Sequence, residues 1–166
     1  MATRSVIAYE HLDTGNIYAV YCNYDGYLEH TGVVLHTLYN QAGKVKQLIL
    51  HSDMQTIFTK NTPSITIPDR PITGVPDYYA KDKETYLAPH ILDDVHALLQ
   101  FADEVGAKYV YLYQDNDWFV SKPYYKDMSF KLLEQALQED TVTDFKKLCQ
   151  DFHDIVTGKQ IGRAHV

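Results

Sequence analysis

The sequence has few of the residues on which secreted and membrane-spanning proteins depend. It has only two cysteines, Cys22 and Cys149, which lie far apart and without a secretory pattern. We therefore expect reduced thiols within a core and not a disulfide framework. No apolar run approaches the ~20 residues that a membrane helix needs, and no signal peptide opens the chain. These features predict a cytoplasmic protein with no membrane partner.

Positive charge is also scarce. The 166 residues include 15 lysines and arginines against 22 acidic residues, which gives a net charge of -7. A protein that reads duplex DNA needs clustered cations to neutralise phosphates, so duplex nucleic acid is not an expected partner. A local basic pocket for one small anion remains compatible with this charge. The length predicts one domain, which we assign to residues 1–158.

Catalytic and cofactor signatures are missing as well. The chain has no G-x-S-x-G elbow, no phosphate-binding glycine loop and no H-E-x-x-H motif. Its eight histidines and two cysteines do not stand at metal-ligand spacings. We therefore predict no catalytic residue, no metal and no cofactor.

Tyrosine, in contrast, is abundant: the chain has 14, against six phenylalanines and one tryptophan. Tyrosine combines an apolar ring with a hydroxyl, which suits both half-buried sheets and ligand-stacking surfaces. Alternating patterns predict one β-hairpin from strands 4–10 and 17–23, and a second from strands 109–113 and 118–120. We expect the tyrosines at 109, 111 and 113 to pack in the sheet and Trp118 to be a core residue.

Helical spacing predicts a helix over Asp93–Val105 that ends at Gly106, with shorter helices at 33–38, 44–50 and 130–137 and another from Thr143. The proline-rich stretch 62–76 is typical of an exposed loop and could cover a site. The predicted fold is α+β: an antiparallel sheet of about four strands, built from two hairpins, with helices packed mainly on one face.

Residues 159–166 follow the predicted helix end at Gly158 and show no apolar periodicity. Residues 160–166 resemble the in-frame translation of a common sequencing-library adapter, which would indicate a gene assembled from environmental reads. We expect this stretch to be a non-native or frayed tail and exclude it from the fold.

Several short motifs occur in the order seen in a family of small, uncharacterised bacteriophage proteins. Residues 3–7 (TRSVI) resemble its T-R-S-x-I strand, and residues 21–27 (YCNYDGY) are similar to its Y-C-H-W-D-G-Y segment, with Asn23 and Tyr24 replacing the His-Trp pair. Gly32 with Leu35, Lys44–Leu50 with Asp53, and the second hairpin continue the resemblance to about residue 125. The resemblance implies a phage accessory protein acting in the cytoplasm of an infected bacterium, and it implies no particular activity.

A candidate ligand site follows from the first hairpin. Antiparallel pairing places the start of the first strand beside the end of the second, so a cation, hydroxyls and aromatic rings could share one edge. The proline-rich stretch and residues 78–81 (YYAK) could close over them. The predicted ligand-binding residues are Arg4, Ser5, Tyr24, Asp25, Tyr27, His30, Tyr78, Tyr79 and Lys81. The alternative for Asp25-Gly26 is purely structural, because Asp-Gly is a preferred turn dipeptide.

Three functions fit these patterns. The first is a phage counter-defence protein that sequesters a nucleotide-derived immune signal, a role for which a homodimer would be suitable. The second is an inhibitor that binds a host defence protein, since tyrosine is enriched at binding hot spots. The third is a small enzyme that modifies a nucleotide, for which no catalytic base can be named.

Overall fold

The computed structural model of the protein describes residues 3–50, 53–57, 77–78 and 89–139. Its strands are β1 (Ser5–Glu10), β2 (Ile17–Cys22), β3 (Met54–Thr56), β4 (Asp77–Tyr78), β5 (His90–Leu92), β6 (Tyr109–Gln114), β7 (Asp117–Lys122) and β8 (Asp127–Leu132). Its α-helices are α1 (Val33–Leu38), α2 (Ala42–Ile49), α3 (Val95–Val105) and α4 (Leu133–Glu139). A π-helical turn (Leu28–Gly32) precedes α1, and a 3₁₀ turn (Pro123–Tyr125) precedes β8.

The described strands form one mixed sheet in the order β4-β3-β2-β1-β6-β7-β8, with β5 also paired to β2. Both predicted hairpins are confirmed, as β1–β2 and β6–β7. They join through a parallel pair, β1 with β6, in a register from Ser5↔Tyr109 to Tyr9↔Tyr113. The predicted antiparallel sheet of four strands is therefore wrong, although the α+β class is correct. Parallel neighbours need a long crossover connection, and the chain between the end of β1 and the start of β6 is long enough to provide it.

The second hairpin is closed by Asp115 and Asn116. Both residues have positive φ, 53° and 64°. A two-residue turn of type I′ requires positive φ at both positions, and Asp and Asn tolerate it better than other non-glycine residues. Local sequence therefore fixes the register of β6 on β7.

Helices cover both faces of the described sheet, with three of them on the one face and α3 on the other, where the prediction had helices mainly on one face. On one face, Ile7, Val20 and Tyr111 pack against residues of α1, α2 and α4. On the other, Val6, Ala8, Ala19, Val110 and Leu112 pack against Leu98 and Ala102 of α3. The physical reason is visible in β1, where consecutive residues Val6 to Ala8 are all fully buried. A strand that is apolar on both sides must be covered on both sides.

The predicted helix over Asp93–Val105 is confirmed from Val95 onward, with Asp94 as its N-cap. The Asp94 carboxylate accepts a 2.9 Å hydrogen bond from the Ala97 backbone N–H and so caps α3. Gly106 ends the helix in the left-handed region at φ 72°. None of the helices in the described ranges is long and apolar enough to cross a membrane.

The helix predicted over 130–137 is correct only from Leu133 onward. Phe130 to Leu132 extend β8 instead, because Lys131 and Leu132 pair with Val120 and Phe119 of β7. The helix predicted from Lys44 begins at Ala42 and includes Gly43. The proline-rich stretch 62–76, the helix predicted from Thr143 and the tail 159–166 lie outside the described residues.

Candidate functional site

The Asp25-Gly26 bend is tied to the protein by backbone contacts. Asp25 adopts a left-handed φ of 60°, and its carbonyl accepts a 2.6 Å hydrogen bond from the Thr31 hydroxyl. The Gly26 N–H donates to the Thr3 carbonyl at 2.9 Å, and the Gly26 carbonyl accepts from the Tyr111 hydroxyl at 2.6 Å. The bend thus connects the start of β1, the π-helical turn and β6. This is a structural role, as expected if Asp25-Gly26 serves only as a turn.

Ser5 is one of the predicted ligand-binding residues, and it is fully buried. Its side chain fills the space beside Gly26, where an added Cβ atom would lie 2.6 Å from the Ser5 Cβ atom. It also lies beside the Cys22 thiol, which donates a 3.5 Å hydrogen bond to the Tyr24 carbonyl and whose pKa is raised to about 12 by burial. The thiol is therefore protonated at neutral pH and is a core group, as predicted.

Tyr24, Tyr27 and His30 follow β2. Tyr24 is 46% exposed. The rings of Tyr27 and His30 are half-buried, with their centroids 5.6 Å apart at a tilted angle. Together with the Asp25 backbone they form a short polar and aromatic segment near the Ser5 end of β1.

Arg4 is held apart from this segment. Alternation along β1 directs Arg4 to the same face as Val6 and Ala8, which is the face covered by α3. Its Nη1 atom lies 3.5 Å from the Val105 carbonyl and would lie 3.2 Å from a Cβ atom at Gly106. The structure therefore places the Arg4 guanidinium at the C-terminal end of α3 and Ser5 on the opposite face, so the two side chains do not converge.

The three remaining predicted residues are Tyr78, Tyr79 and Lys81. Tyr78 belongs to β4, and its backbone pairs with Met54 of β3. Tyr79 and Lys81 lie outside the described residues.

A different group of side chains is connected to Arg4 through the backbone of Lys108. The Arg4 carbonyl accepts a 2.9 Å hydrogen bond from the Lys108 N–H, and the Lys108 Nζ atom lies 5.0 Å from the centre of the Tyr124 ring. The Tyr124 ring contacts Tyr125 edge-on at 5.2 Å, and Tyr125 contacts Tyr109 at 6.2 Å. We call Arg4, Lys108, Tyr109, Tyr124 and Tyr125 the basic aromatic surface.

Local sequence explains why these rings face solvent. Pro123 opens the 3₁₀ turn, and Lys126 ends it with a left-handed φ of 65°. Within this tight turn Tyr124 and Tyr125 are 59% and 53% exposed, which is high for aromatic residues. Lys122 and Lys126 flank the turn in sequence and add positive charge to an acidic protein.

Acidic groups also border this surface. Asp127 follows the turn, and the pKa of its carboxyl is lowered, first by hydrogen bonds from Ser129 and to a lesser degree by Lys122 and Lys131. Asp103 and Glu104 are exposed in the last turn of α3. The surface is therefore a set of cations with nearby carboxylates, and its distinctive feature is the pair of exposed tyrosine rings beside Lys108.

Sequence reasoning named Arg4 but missed Lys108, Tyr124 and Tyr125. The signal was present in residues 122–126 (KPYYK), where a proline fixes a turn and two lysines flank two tyrosines. Such a run cannot be a buried strand, because its proline and its charges favour an exposed turn. What remained hidden was the contact between this turn and the start of β6.

Asp53, which lies just before β3, has a structural role. Along β2, strand β5 pairs with Ile17 to Ala19 and strand β3 pairs with Cys22. Between these two partners, the Asp53 carboxylate accepts a 2.9 Å hydrogen bond from the Tyr21 N–H. The His90 Nε2 atom lies 3.3 Å from the same carboxylate, and the His90 ring packs 4.5 Å from Phe101. The side chain thus replaces a strand partner at a gap in the sheet.

Searches among known protein families, curated proteins and solved structures find no match to this chain. Within the described ranges, no group of three or more His, Cys, Asp or Glu side chains is arranged to hold a metal ion.

Proposed function

We propose that this protein is a phage counter-defence protein that acts in the cytoplasm of the infected bacterium by sequestering a nucleotide-derived immune signal. The basic aromatic surface is where we place the ligand. The observation that carries the proposal is the joint exposure of Tyr124 and Tyr125 in a protein whose net charge is -7, with Lys108 over the Tyr124 ring and an exposed Arg4 joined to Lys108 through the backbone.

The chemistry of this surface suits a phosphorylated base. A guanidinium donates directional hydrogen bonds to phosphate oxygens, and an ammonium adds a second positive charge. Exposed aromatic rings stack on bases, and each stacked base contributes about 1–3 kcal/mol. Lys108 lies over the Tyr124 ring, so the cation and the aromatic face are presented together.

Sequestration requires that the ligand leaves the protein unaltered. The decisive experiment is to express the protein beside an active nucleotide-signalling immune system, purify it, denature it and identify the released small molecules by mass spectrometry. An intact signalling nucleotide in the wild type, and its loss in a Lys108→Ala/Tyr124→Ala variant, would support the proposal. An altered nucleotide would instead indicate the enzyme alternative.

Inhibition of a host protein is the second candidate, and one observation favours it. The exposed apolar side chains do not end at the 3₁₀ turn but continue along β8, the last strand of the described sheet, with Met128 and Leu132 59% and 40% exposed. Tyrosine-rich surfaces of this kind are frequent in protein interfaces. In this case the purified protein would carry no nucleotide and would co-purify with a host protein, and that interaction would be lost in a Met128→Asp variant.

A further inference from the structure

A cavity of about 180 Å³ lies at the other end of the sheet from the basic aromatic surface. Strand β6 connects the two places, since it begins at Tyr109 and reaches the cavity at Tyr113. The cavity is formed where the β6–β7 turn meets the end of α1 and the start of α4. Six of the residues that line it supply aromatic rings, carboxylates or amides: Asn40, Tyr113, Asn116, Asp117, Trp118 and Glu134.

The inner wall of this cavity is aromatic and held in place. Trp118 is only 4% exposed, and its indole Nε1–H donates a 2.6 Å hydrogen bond to the Tyr39 carbonyl. Tyr113 is 7% exposed, and its ring meets the indole edge-on with centroids 5.3 Å apart. Each ring is therefore fixed by a neighbour, which gives the cavity a preformed aromatic surface.

The polar groups around this wall are acidic carboxyl groups and neutral amides. Asp117 and Glu134 supply carboxylates, and Asn40 and Asn116 supply amides. Asp117 precedes Trp118 in β7 and lines the same cavity as the two rings, and burial, followed by the nearby Asp117 charge, raises the pKa of Tyr113. Among the described residues lining the cavity there is no lysine or arginine, and His36 is the one basic side chain.

We propose that this cavity binds a small organic cation, namely a guanidinium or an ammonium group. Aromatic faces attract such cations, and carboxylates form strong charge-assisted hydrogen bonds with them. The volume is well above that of one water and below the ~300–1,000 Å³ of pockets for drug-sized ligands, so it suits a single head group. The site differs in place and in charge preference from the anion-binding surface proposed above and does not depend on it.

The single tryptophan of the chain gives a direct measurement, because Trp118 is part of the wall. Ethylguanidinium titrated into the full-length protein at mildly alkaline pH should change the tryptophan emission in a saturable way, with the weak affinity usual for so small a probe. Ethylurea, which has a similar shape but no charge, should not. No saturable response to ethylguanidinium, or an equal response to both probes, would overturn the proposal.

Two variants and a matched control assign the response to the cavity. Asp117→Asn and Glu134→Gln should each weaken ethylguanidinium binding by about tenfold or more, the loss expected for one charged hydrogen bond. Asp115→Asn removes the same charge from the same turn outside the cavity and should bind as the wild type does. If Asp115→Asn weakens binding as much as Asp117→Asn, the effect reflects net charge and the proposed site is wrong.

The guanidinium group that the cavity binds could belong to a free small molecule or to an arginine side chain of a partner protein. A short peptide with one internal arginine between glycines distinguishes the two sources. Binding of both peptide and ethylguanidinium would indicate an opening wide enough for a partner's side chain. Binding of ethylguanidinium alone would indicate a free small cation, and binding of neither would contradict the proposal.

Discussion

The Tyr111 hydroxyl donates a 2.6 Å hydrogen bond to the Gly26 carbonyl, and this bond joins the centre of the sheet to the bend after β2. Tyr111 is fully buried, so neither group has water as a substitute partner. An unsatisfied buried carbonyl is more costly than the net contribution of an average hydrogen bond. The bend in the phage-like motif is therefore held by a residue that lies 85 positions away in the sequence.

The first prediction concerns this bond. Tyr111→Phe should lower the free energy of unfolding by about 1–3 kcal/mol, because it leaves the Gly26 carbonyl buried without its donor. Tyr124→Phe removes a hydroxyl from an exposed ring and is the matched control, with an expected change below about 0.5 kcal/mol. Denaturant unfolding measures both, and equal stabilities for the two variants would show that the buried bond contributes nothing.

The second prediction compares two glycines. Gly26→Ala places a Cβ atom 2.6 Å from the Ser5 Cβ atom and 2.9 Å from the Thr3 carbonyl oxygen, so β1 must shift and the protein should lose stability. Gly43→Ala meets nothing within 4 Å inside α2. It should stabilise the protein by about 0.5–1 kcal/mol, the usual gain of alanine over glycine in a helix. Thermal unfolding curves should therefore move in opposite directions, and a shift in the same direction would contradict the packing described at Gly26.

The third prediction is a loss of stability in alkali. Burial raises the pKa of Cys22 from 9.0 to about 12, so above pH 9 the unfolded chain releases a proton that the folded protein retains. Stability due to this group is complete below pH 9 and falls above it by up to about 1.4 kcal/mol per pH unit. Tyr111, whose pKa is raised well above 10.0 by burial, adds to the decline only at higher pH.

Buried tyrosines with raised pKa values also contribute as the pH nears 10, so comparison with a variant that lacks the thiol is needed to isolate the contribution of Cys22. Between pH 9 and 10 the free energy of unfolding of the wild type should decrease more steeply than that of Cys22→Ala, by a slope equivalent to roughly one proton. Urea unfolding at several pH values gives both slopes. Parallel slopes would mean that the thiol is not buried as described.

The elements that could be predicted from sequence are those encoded locally. The two hairpins follow from alternating residues and turn chemistry, and α3 follows from its apolar spacing, its Asp94 cap and Gly106. The parallel pairing of β1 with β6 could not be predicted, because it joins strands about a hundred positions apart and leaves no local period. The apolar pattern of residues 130–132 is compatible with either a helix or a strand. These residues form a strand because they pair with β7.

The candidate site was only partly predictable for a similar reason. Alternation along β1 already separates Arg4 from Ser5, so their grouping on one edge was avoidable from sequence alone. The contact of Lys108 with Tyr124 of the 3₁₀ turn could not be predicted, since it depends on how α3 positions the start of β6. Tyrosine content indicated aromatic surfaces without indicating which of the tyrosines face solvent.

The fourth prediction concerns the Arg4 guanidinium. Arg4→Ala should weaken binding of the nucleotide recovered from the purified protein by about tenfold or more, since a charged hydrogen bond to phosphate is lost. The fold should persist, because the side chain is exposed and its contact with the Val105 carbonyl is long at 3.5 Å. Lys44→Ala, an exposed cation on α2, is the control for net charge. Equal affinities for the two variants, measured by calorimetry, would remove Arg4 from the site.

The most direct test of the central claim compares two exposed tyrosines, Tyr124 in the basic aromatic surface and Tyr24 beside the Asp25-Gly26 bend. Both side chains are well exposed, at 59% and 46%, so replacing either with alanine should leave the fold intact. Calorimetric titration with the recovered nucleotide should show a loss of roughly tenfold in Tyr124→Ala, from the missing base stacking, and wild-type affinity in Tyr24→Ala. Wild-type affinity in Tyr124→Ala, with the loss found in Tyr24→Ala instead, would contradict the account and place the ligand at the bend.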